Sequence, residues 1–238
     1  MTTLRLRGRF ASAALAICAA GTAFGGLVAG MGVPAAASDV AAPAATPVAE
    51  TSNTPEIGDA VSLPPSFLRA GQLPQGARYG TWHASRIYSG MPRNARFCLD
   101  NALPPLETKY VSYKGKANVA AEEFVTVAGS DSEAQALVDS VRTQIQNCYT
   151  QWLDSDIPAY RDGHRSASWK RFGTMNGMTI VGVFTVPPKG FVKTAHLYAI
   201  GREGNVVVLL HLGVPGGKGN APVTGFTKAG GKALHQAL

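Results

Sequence analysis

The first 37 residues of the chain have the three parts of a Sec-type export signal. An uncharged apolar run over residues 10–33 is followed by three alanines ending at Ala37, the small residues that signal peptidase requires. The cationic segment before the run contains Arg5, Arg7 and Arg9. We therefore predict cleavage after Ala37 and a mature chain that is secreted, with no stable membrane insertion after cleavage.

Removal of this signal leaves two cysteines, Cys98 and Cys148. Extracellular compartments are oxidising, and an even pair of cysteines there is expected to form a disulfide. In a cytosolic protein the same two residues would be candidates for reduced core residues or for catalysis. In the chain-entropy model, a bond that closes about 50 residues stabilises the fold by up to roughly 4 kcal/mol.

Two alternatives compete with cleavage at Ala37. Acylation of Cys18 would make the chain a lipoprotein, but the bulky Ile17 stands where a lipobox needs a small residue. The apolar run is also long enough to remain as a membrane helix, which needs about 20 residues. Its many glycines weaken a helix, and Pro34 followed by small residues fits cleavage better.

Composition divides the mature chain into two parts. Residues 38–62 are rich in alanine, proline, threonine and valine and contain no lysine or arginine, so we predict a disordered tether. Residues 63–238 are sufficient for one folded domain. Subtracting three signal arginines and four tether acids from the 22 basic and 15 acidic residues leaves 19 and 11, a balance of +8. This balance favours anionic partners such as teichoic acid, anionic lipid headgroups or acidic polysaccharide over nucleic acid, unless it serves solubility alone.

The strongest helical pattern covers residues 131–153. Ser130 and Glu133 form an S-x-x-E capping box at its start. Apolar residues recur at helical spacing and predict one buried stripe. The members of the stripe are Ala134, Leu137, Val138, Val141, Ile145, Cys148 and Trp152.

Strand patterns lie before and after this helix. One strand is predicted over residues 121–127, and two hairpins follow, joining 168–175 to 178–186 and 194–201 to 206–212. A final helix is predicted over residues 222–238, although three glycines weaken it. Strands in hairpins without βαβ crossovers predict an α+β fold, an antiparallel sheet with helices packed on one face and one disulfide.

The hairpin turns also predict strand register. Asn176-Gly177 favours a two-residue turn, which pairs Phe172 with Val181 and Trp169 with Phe184. The second hairpin, centred between Glu203 and Gly204, would place His196 directly opposite His211. Such a pair could sense acidification or share a soft divalent metal, although no further ligand lies nearby in sequence. The alternative is two polar residues at a strand end that meet water or loop carbonyls.

This order of features is similar to that of a known family. A long helix ending in a cysteine, antiparallel strands containing Arg202 and the run Asn205-Val206-Val207-Val208, and a closing helix resemble the extracellular sensor domain of mycobacterial PknH-type Ser/Thr kinases. Related domains occur in secreted proteins and lipoproteins of actinobacteria. The resemblance covers residues 63–238 and implies a ligand-binding or sensing module with a cleft beside the sheet and no established catalysis. The chain lacks the second disulfide common in the family and has no kinase domain, so we expect no signalling through a linked kinase.

Sharp catalytic motifs are missing from the sequence. There is no G-x-S-x-G nucleophile elbow, and the histidines lack zincin spacing. The glycine-rich run over residues 213–220 lacks Walker spacing and is predicted to be a flexible connection. We therefore expect no cofactor and no metal site.

Basic and aromatic residues alternate over residues 78–116. Basic groups there could neutralise a polyanion while aromatic faces stack on sugar rings. The alternative is that the aromatic rings pack under a long loop and the charges are merely solvated. The predicted ligand-binding residues are Arg78, Trp82, Arg86, Tyr88, Arg93, Arg96, Lys114 and Lys116.

Compartment, charge and resemblance together predict a secreted, non-catalytic ligand-binding or sensor-like module at or near the cell envelope. Its partner would be an unknown envelope or extracellular ligand, with anionic polymers as the first candidates. Two other classes stay open. One is a secreted hydrolase whose active-site residues are not adjacent in sequence, and the other is a secreted enzyme inhibitor.

A charge-driven interaction gives a direct prediction for residues 78–116. Binding of the mature domain to fractionated cell-wall polymers should weaken steeply between low and physiological salt, because exposed charges are screened. Reversal of Arg93 and Arg96 to glutamate should weaken retention further. Retention that responds to neither change would leave the basic balance as a solubility feature.

Overall fold

The computed structural model describes residues 66–92, 97–160 and 163–238. The predicted signal, Cys18 and the predicted tether lie outside the described residues, so their interpretation stays a prediction. No helix within the described ranges is long and apolar enough to cross a bilayer.

An antiparallel sheet and two α-helices make up the described part of the chain. The strands are β1 (His83–Ala84), β2 (Tyr88–Ser89), β3 (Thr108–Lys114), β4 (Ala120–Val127), β5 (Ser166–Met175), β6 (Met178–Val186), β7 (Thr194–Glu203) and β8 (Val206–Pro215). The helices are α1 (Asp131–Asp154) and α2 (Val223–Gln236), with short 3-10 turns at Ala70–Gln72, Pro158–Tyr160 and Lys218–Asn220. The sheet order is β1-β3-β4-β8-β7-β6-β5, with β2 also paired to β3. The predicted α+β class is confirmed.

The helix α1 forms as its sequence predicts. The hydroxyl of Ser130 accepts a hydrogen bond from the Glu133 amide at 3.2 Å, which satisfies a free donor at the helix start. The predicted stripe is buried at five positions, and its last buried member, Cys148, is bonded to Cys98. The predicted disulfide is therefore present, and it fixes the C-terminal half of α1 to the segment before β3.

The two helices cover opposite faces of the sheet, so the prediction that both pack on one face is wrong in this detail. On the α1 face the core contains Phe124, Val183 and Ile200, whereas Ile180 and Ala199 belong to the core under α2. Neighbouring residues in β6, β7 and β8 are buried on both sides. Because side chains alternate across a strand, an apolar run without alternation needs cover on both faces.

The glycines of α2 serve its packing against the sheet. A Cβ atom added at Gly230 would lie 2.7 Å from the Cβ of Ala199 on β7, a distance that forces a shift. The helix therefore approaches the sheet more closely than alanine would permit. The gain in contact offsets the roughly 1 kcal/mol that a glycine costs within a helix.

The first hairpin has the predicted turn but a different register beyond it. Asn176 and Gly177 have φ values of 50° and 74°, as the tight type I′ turn requires. A β-bulge between Arg171 and Gly173 then shifts the pairing. As a result Phe172 has no direct partner, and Trp169 pairs with Val183 and not with Phe184.

The second hairpin turns one residue later than predicted. Glu203 pairs with Val206, so Gly204 and Asn205 alone form the turn, with Gly204 at a φ of 55°. This moves the register by two residues. His196 lies opposite Gly213, and Tyr198 lies opposite His211. The prediction of directly opposed histidines is therefore wrong, although an even shift leaves both on the same face.

A buried carboxylate holds the start of the domain to the α2 face. Glu123 Oε2 accepts hydrogen bonds from the Leu68 amide at 2.9 Å and from the Tyr113 hydroxyl at 2.8 Å. The same hydroxyl lies 2.8 Å from the Leu68 carbonyl, and Glu123 Oε1 has no partner among the described residues. Burial raises the pKa of Glu123 from 4.5 to about 7, since hydrogen bonds from Leu68 and Tyr113 offset only part of the desolvation.

This shift predicts the pH dependence of stability. The pKa of Glu123 is higher in the folded state, so its contribution is complete below about pH 4.5 and is lost as the pH rises through about 7. Between these limits the wild-type free energy of unfolding should fall by on the order of 3 kcal/mol more than that of Glu123→Gln. Urea denaturation across this range measures the difference.

The matched control is Glu107→Gln, which changes an exposed glutamate at the start of β3. It should follow the wild-type pH profile. A Glu123→Gln profile that coincides with the wild type would contradict the assignment.

Candidate functional site

A cavity of about 470 Å³ opens on the α1 face of the sheet, at the end where β7 begins and β8 ends. Most of its wall is apolar or small, and includes Phe97, Val192 and Pro215. The ionisable residues among its described lining are Glu122, His196 and His211.

These three side chains form a continuous hydrogen-bonded chain across three strands. Nδ1 of His211 lies 2.8 Å from Oε2 of Glu122, its direct partner in the ladder between β8 and β4. Nε2 of His211 lies 3.3 Å from Nδ1 of His196 on β7. The histidines are diagonal neighbours, and their rings stack with centroids 5.5 Å apart.

The Glu122 carboxylate determines which ring nitrogens of His211 and His196 carry protons. A carboxylate only accepts, so Nδ1 of His211 carries a proton and donates to Glu122. In a neutral ring Nε2 of His211 is then the acceptor, and Nδ1 of His196 is the donor. Nε2 of His196 is left unprotonated. It makes no hydrogen bond within the described part of the chain, and His196 lines the cavity.

Two aromatic side chains hold the imidazoles in place. Phe97 stacks on His196 at 4.1 Å and Tyr198 stacks on His211 at 4.9 Å, measured between ring centroids. The Tyr198 hydroxyl donates to the Phe97 carbonyl at 2.7 Å. Phe97 adjoins Cys98, so the disulfide to α1 and this hydrogen bond both limit the movement of the Phe97 ring.

Burial shifts the pKa values of His196 and Tyr198. Burial lowers the pKa of His196 well below its ordinary value of 6.5, and electrostatic repulsion between the two imidazoles lowers it further. Burial raises the pKa of Tyr198, and Glu122 adds to the rise. At neutral pH His196 is therefore an uncharged base, and Tyr198 keeps the hydroxyl proton that it donates to Phe97.

The structure separates the residues predicted over 78–116. Trp82 is buried in the α2-side core and donates its indole N–H to the Pro74 carbonyl at 2.9 Å, so its ring offers no exposed stacking face. The Arg86 guanidinium lies 5.0 Å from the centre of the exposed Tyr88 ring. Arg78, Lys114 and Lys116 are also exposed. Arg93 and Arg96 lie outside the described residues, and polyanion binding stays a prediction.

Sequence reasoning identified the two histidines and missed Glu122, Phe97 and Tyr198. One signal for Glu122 was present, because two consecutive acids, Glu122 and Glu123, interrupt the apolar strand predicted over residues 121–127. Consecutive strand residues point to opposite faces, so each acid had to find its own buried partner. Within the described ranges, no three His, Cys, Asp or Glu side chains have the geometry of a metal site.

The hydrogen-bonded chain predicts how His196 titrates. In ring ¹⁵N NMR spectra, His196 should gain a proton only well below pH 6.5. Replacement of His211 by Gln should raise the pKa of His196 part of the way back to 6.5. The substitution removes the repulsion from His211 but leaves the burial of His196 unchanged. His235→Gln, which changes an exposed histidine on α2, should leave the titration as it was. An ordinary titration of His196 in the wild type would contradict the buried, coupled arrangement.

Comparison with known proteins gives a weak structural similarity and no match by sequence. No protein-family model matches the chain, and no curated protein matches it. Among solved structures, the chain is similar to the extracellular domain of PknH from Mycobacterium tuberculosis, at 11% identity and a TM-score of 0.44. The match covers 66% of this chain and 84% of that domain. Membership of the PknH-type family stays a prediction from the order of sequence features.

Proposed function

We propose that the protein is a non-catalytic binding module whose cavity holds a small, largely apolar ligand through one polar group. The observation that carries the proposal is Nε2 of His196, a neutral acceptor left open beside the cavity. A ligand with a hydroxyl group can donate to this nitrogen. The rest of the ligand would lie against Phe97, Val192 and Pro215.

The size and lining of the cavity support this function. Small-molecule sites usually occupy 300 to 1,000 Å³, have mostly apolar walls and contain a few placed polar groups. The cavity of about 470 Å³ falls in this range. Its polar group is held before any ligand arrives, because the two rings are fixed by stacking and by hydrogen bonds. Such preorganisation lowers the entropy that binding costs.

The place of action is part of the same proposal. The predicted export signal and the disulfide between Cys98 and Cys148 both fit an oxidising environment outside the cytosol. Polyanion binding by the exposed basic residues around Tyr88 is a separate hypothesis, because lysine and arginine do not occur among the described residues of the cavity wall.

A secreted hydrolase is the competing function, since a carboxylate–imidazole chain can also activate a nucleophile. An enzyme of this kind that forms a covalent intermediate needs a hydroxyl or thiol within hydrogen-bond reach of His196 Nε2. Thr194 lines the cavity, but its hydroxyl donates to the Val192 carbonyl at 3.5 Å and makes no hydrogen bond to His196. Binding without turnover therefore agrees better with the geometry.

The test uses two uncharged probes, hexanol and benzyl alcohol, in NMR titrations of the mature domain. Both should bind and shift the signals of Phe97, Val192 and His196. The variant His196→Phe keeps a flat ring against Phe97 and removes the acceptor. Loss of one hydrogen bond, worth about 1 kcal/mol, should weaken the alcohols roughly fivefold.

The matched control is His164→Phe, which makes the same change at an exposed position. It should bind both alcohols as the wild type does. If neither alcohol perturbs the cavity, the proposed function is wrong. Turnover of p-nitrophenyl esters that is lost in His196→Phe would favour the hydrolase instead.

A further inference from the structure

The hydrogen-bonded chain from His196 through His211 to Glu122 contains more groups than are needed to accept one hydrogen bond from a ligand. A ligand hydroxyl requires only one lone pair, and an isolated imidazole would provide it. Here the nitrogen at the cavity leads through a second imidazole to Glu122, at successive distances of 3.3 and 2.8 Å. Such a series of donors and acceptors can accept a proton at one end and place the charge at the other.

We propose that the cavity binds its ligand together with one proton, and that the ligand is a small apolar carboxylic acid. This inference rests on the proposed function and specifies the class of ligand for the same site. The carboxylate enters as an anion, and one proton from solvent completes the complex. That proton occupies the hydrogen bond between a ligand oxygen and Nε2 of His196.

The protons balance without any covalent change in the ligand. When Nε2 of His196 gains the proton, the proton on its Nδ1 moves to Nε2 of His211. His196 is neutral again and now donates to the ligand carboxylate. His211 holds two protons and carries the positive charge, while its Nδ1 still donates to Glu122.

The surroundings favour charge on the inner ring over the outer one. Burial and the neighbouring His211 lower the pKa of His196 and so disfavour a charge on it. His211 lies 2.8 Å from a carboxylate, which stabilises an imidazolium. Among the described residues, the ionisable side chains that contact the two rings are Glu122 from β4 and Tyr198 from β7, which stacks on His211.

Long-range charge supports a ligand that is anionic in solution. The part of the sequence assigned to the folded domain has a balance of +8, and such a field raises the encounter rate with anions. Lysine and arginine are missing from the described cavity wall, so no basic side chain there can neutralise the anion. In the described site, proton uptake by the histidine pair provides the neutralisation.

The test compares hexanoate and benzoate with hexanol and benzyl alcohol by calorimetry. Each titration is run at pH 7 in buffers of different ionisation enthalpy, which gives the number of protons taken up. We expect close to one proton for each carboxylate and none for the alcohols. Above the pH at which the free histidine pair is neutral, carboxylate affinity should fall about tenfold per pH unit.

Glu122→Gln removes the charge that stabilises the protonated inner ring. Carboxylate affinity should fall at least tenfold, and by a larger factor than the affinity for the alcohols. The control His164→Gln, at an exposed position, should change neither the carboxylate affinity nor the alcohol affinity. Ring ¹⁵N spectra of the wild type do not depend on the folding of the variant. In these spectra, benzoate should move both nitrogens of His211 to protonated values.

The outcomes separate the two proposals. Carboxylates that bind without proton uptake, or alcohols that bind when carboxylates do not, would overturn this inference and leave the binding function intact. Failure of all four probes to bind would overturn the proposed function, and this inference with it.

Discussion

The backbone ladder between β4 and β8 fixes both the core and the cavity. It joins segments far apart in the chain and places Glu122 opposite His211, 89 residues later. A one-residue slip in this ladder would turn Glu122 away from the histidines and bring Glu123 to their face, because strand side chains alternate. The same slip would expose apolar residues that now fill two cores. The hydrophobic cost of a slip therefore protects the hydrogen-bonded chain.

Two adjacent carboxylates in β4 show how partners decide the behaviour of a buried acid. Glu123 meets a phenol and one backbone amide, neutral groups that do not fully replace water, so its pKa rises to about 7. Glu122 meets an imidazole that can itself become charged. The first acid ties the start of the domain to the sheet, and the second gives a cavity-facing nitrogen its proton assignment.

Local patterns predicted local structure well. The α1 cap, its buried stripe, the Asn176-Gly177 turn and the disulfide all depend on nearby residues or on compartment. What failed depended on distant contacts or on the exact geometry of a turn. Strand β3 was not predicted, because Tyr113 and Val111 become core residues only when β4 pairs beside them. The histidine register failed because a turn at Gly204 and Asn205 is one residue from the assumed centre. Glu122 could not be linked to His211 before the sheet order was known.

The disulfide between Cys98 and Cys148 affects how the cavity forms as well as its final shape. Phe97 owes its place over His196 partly to the cysteine beside it, which is fixed to α1 by this bond. A chain with reduced thiols lacks that covalent restraint on one wall of the cavity. The helix and hairpins can form from local sequence, whereas the complete wall needs an oxidant. Maturation of the cavity thus depends on an electron acceptor that the chain itself does not contain.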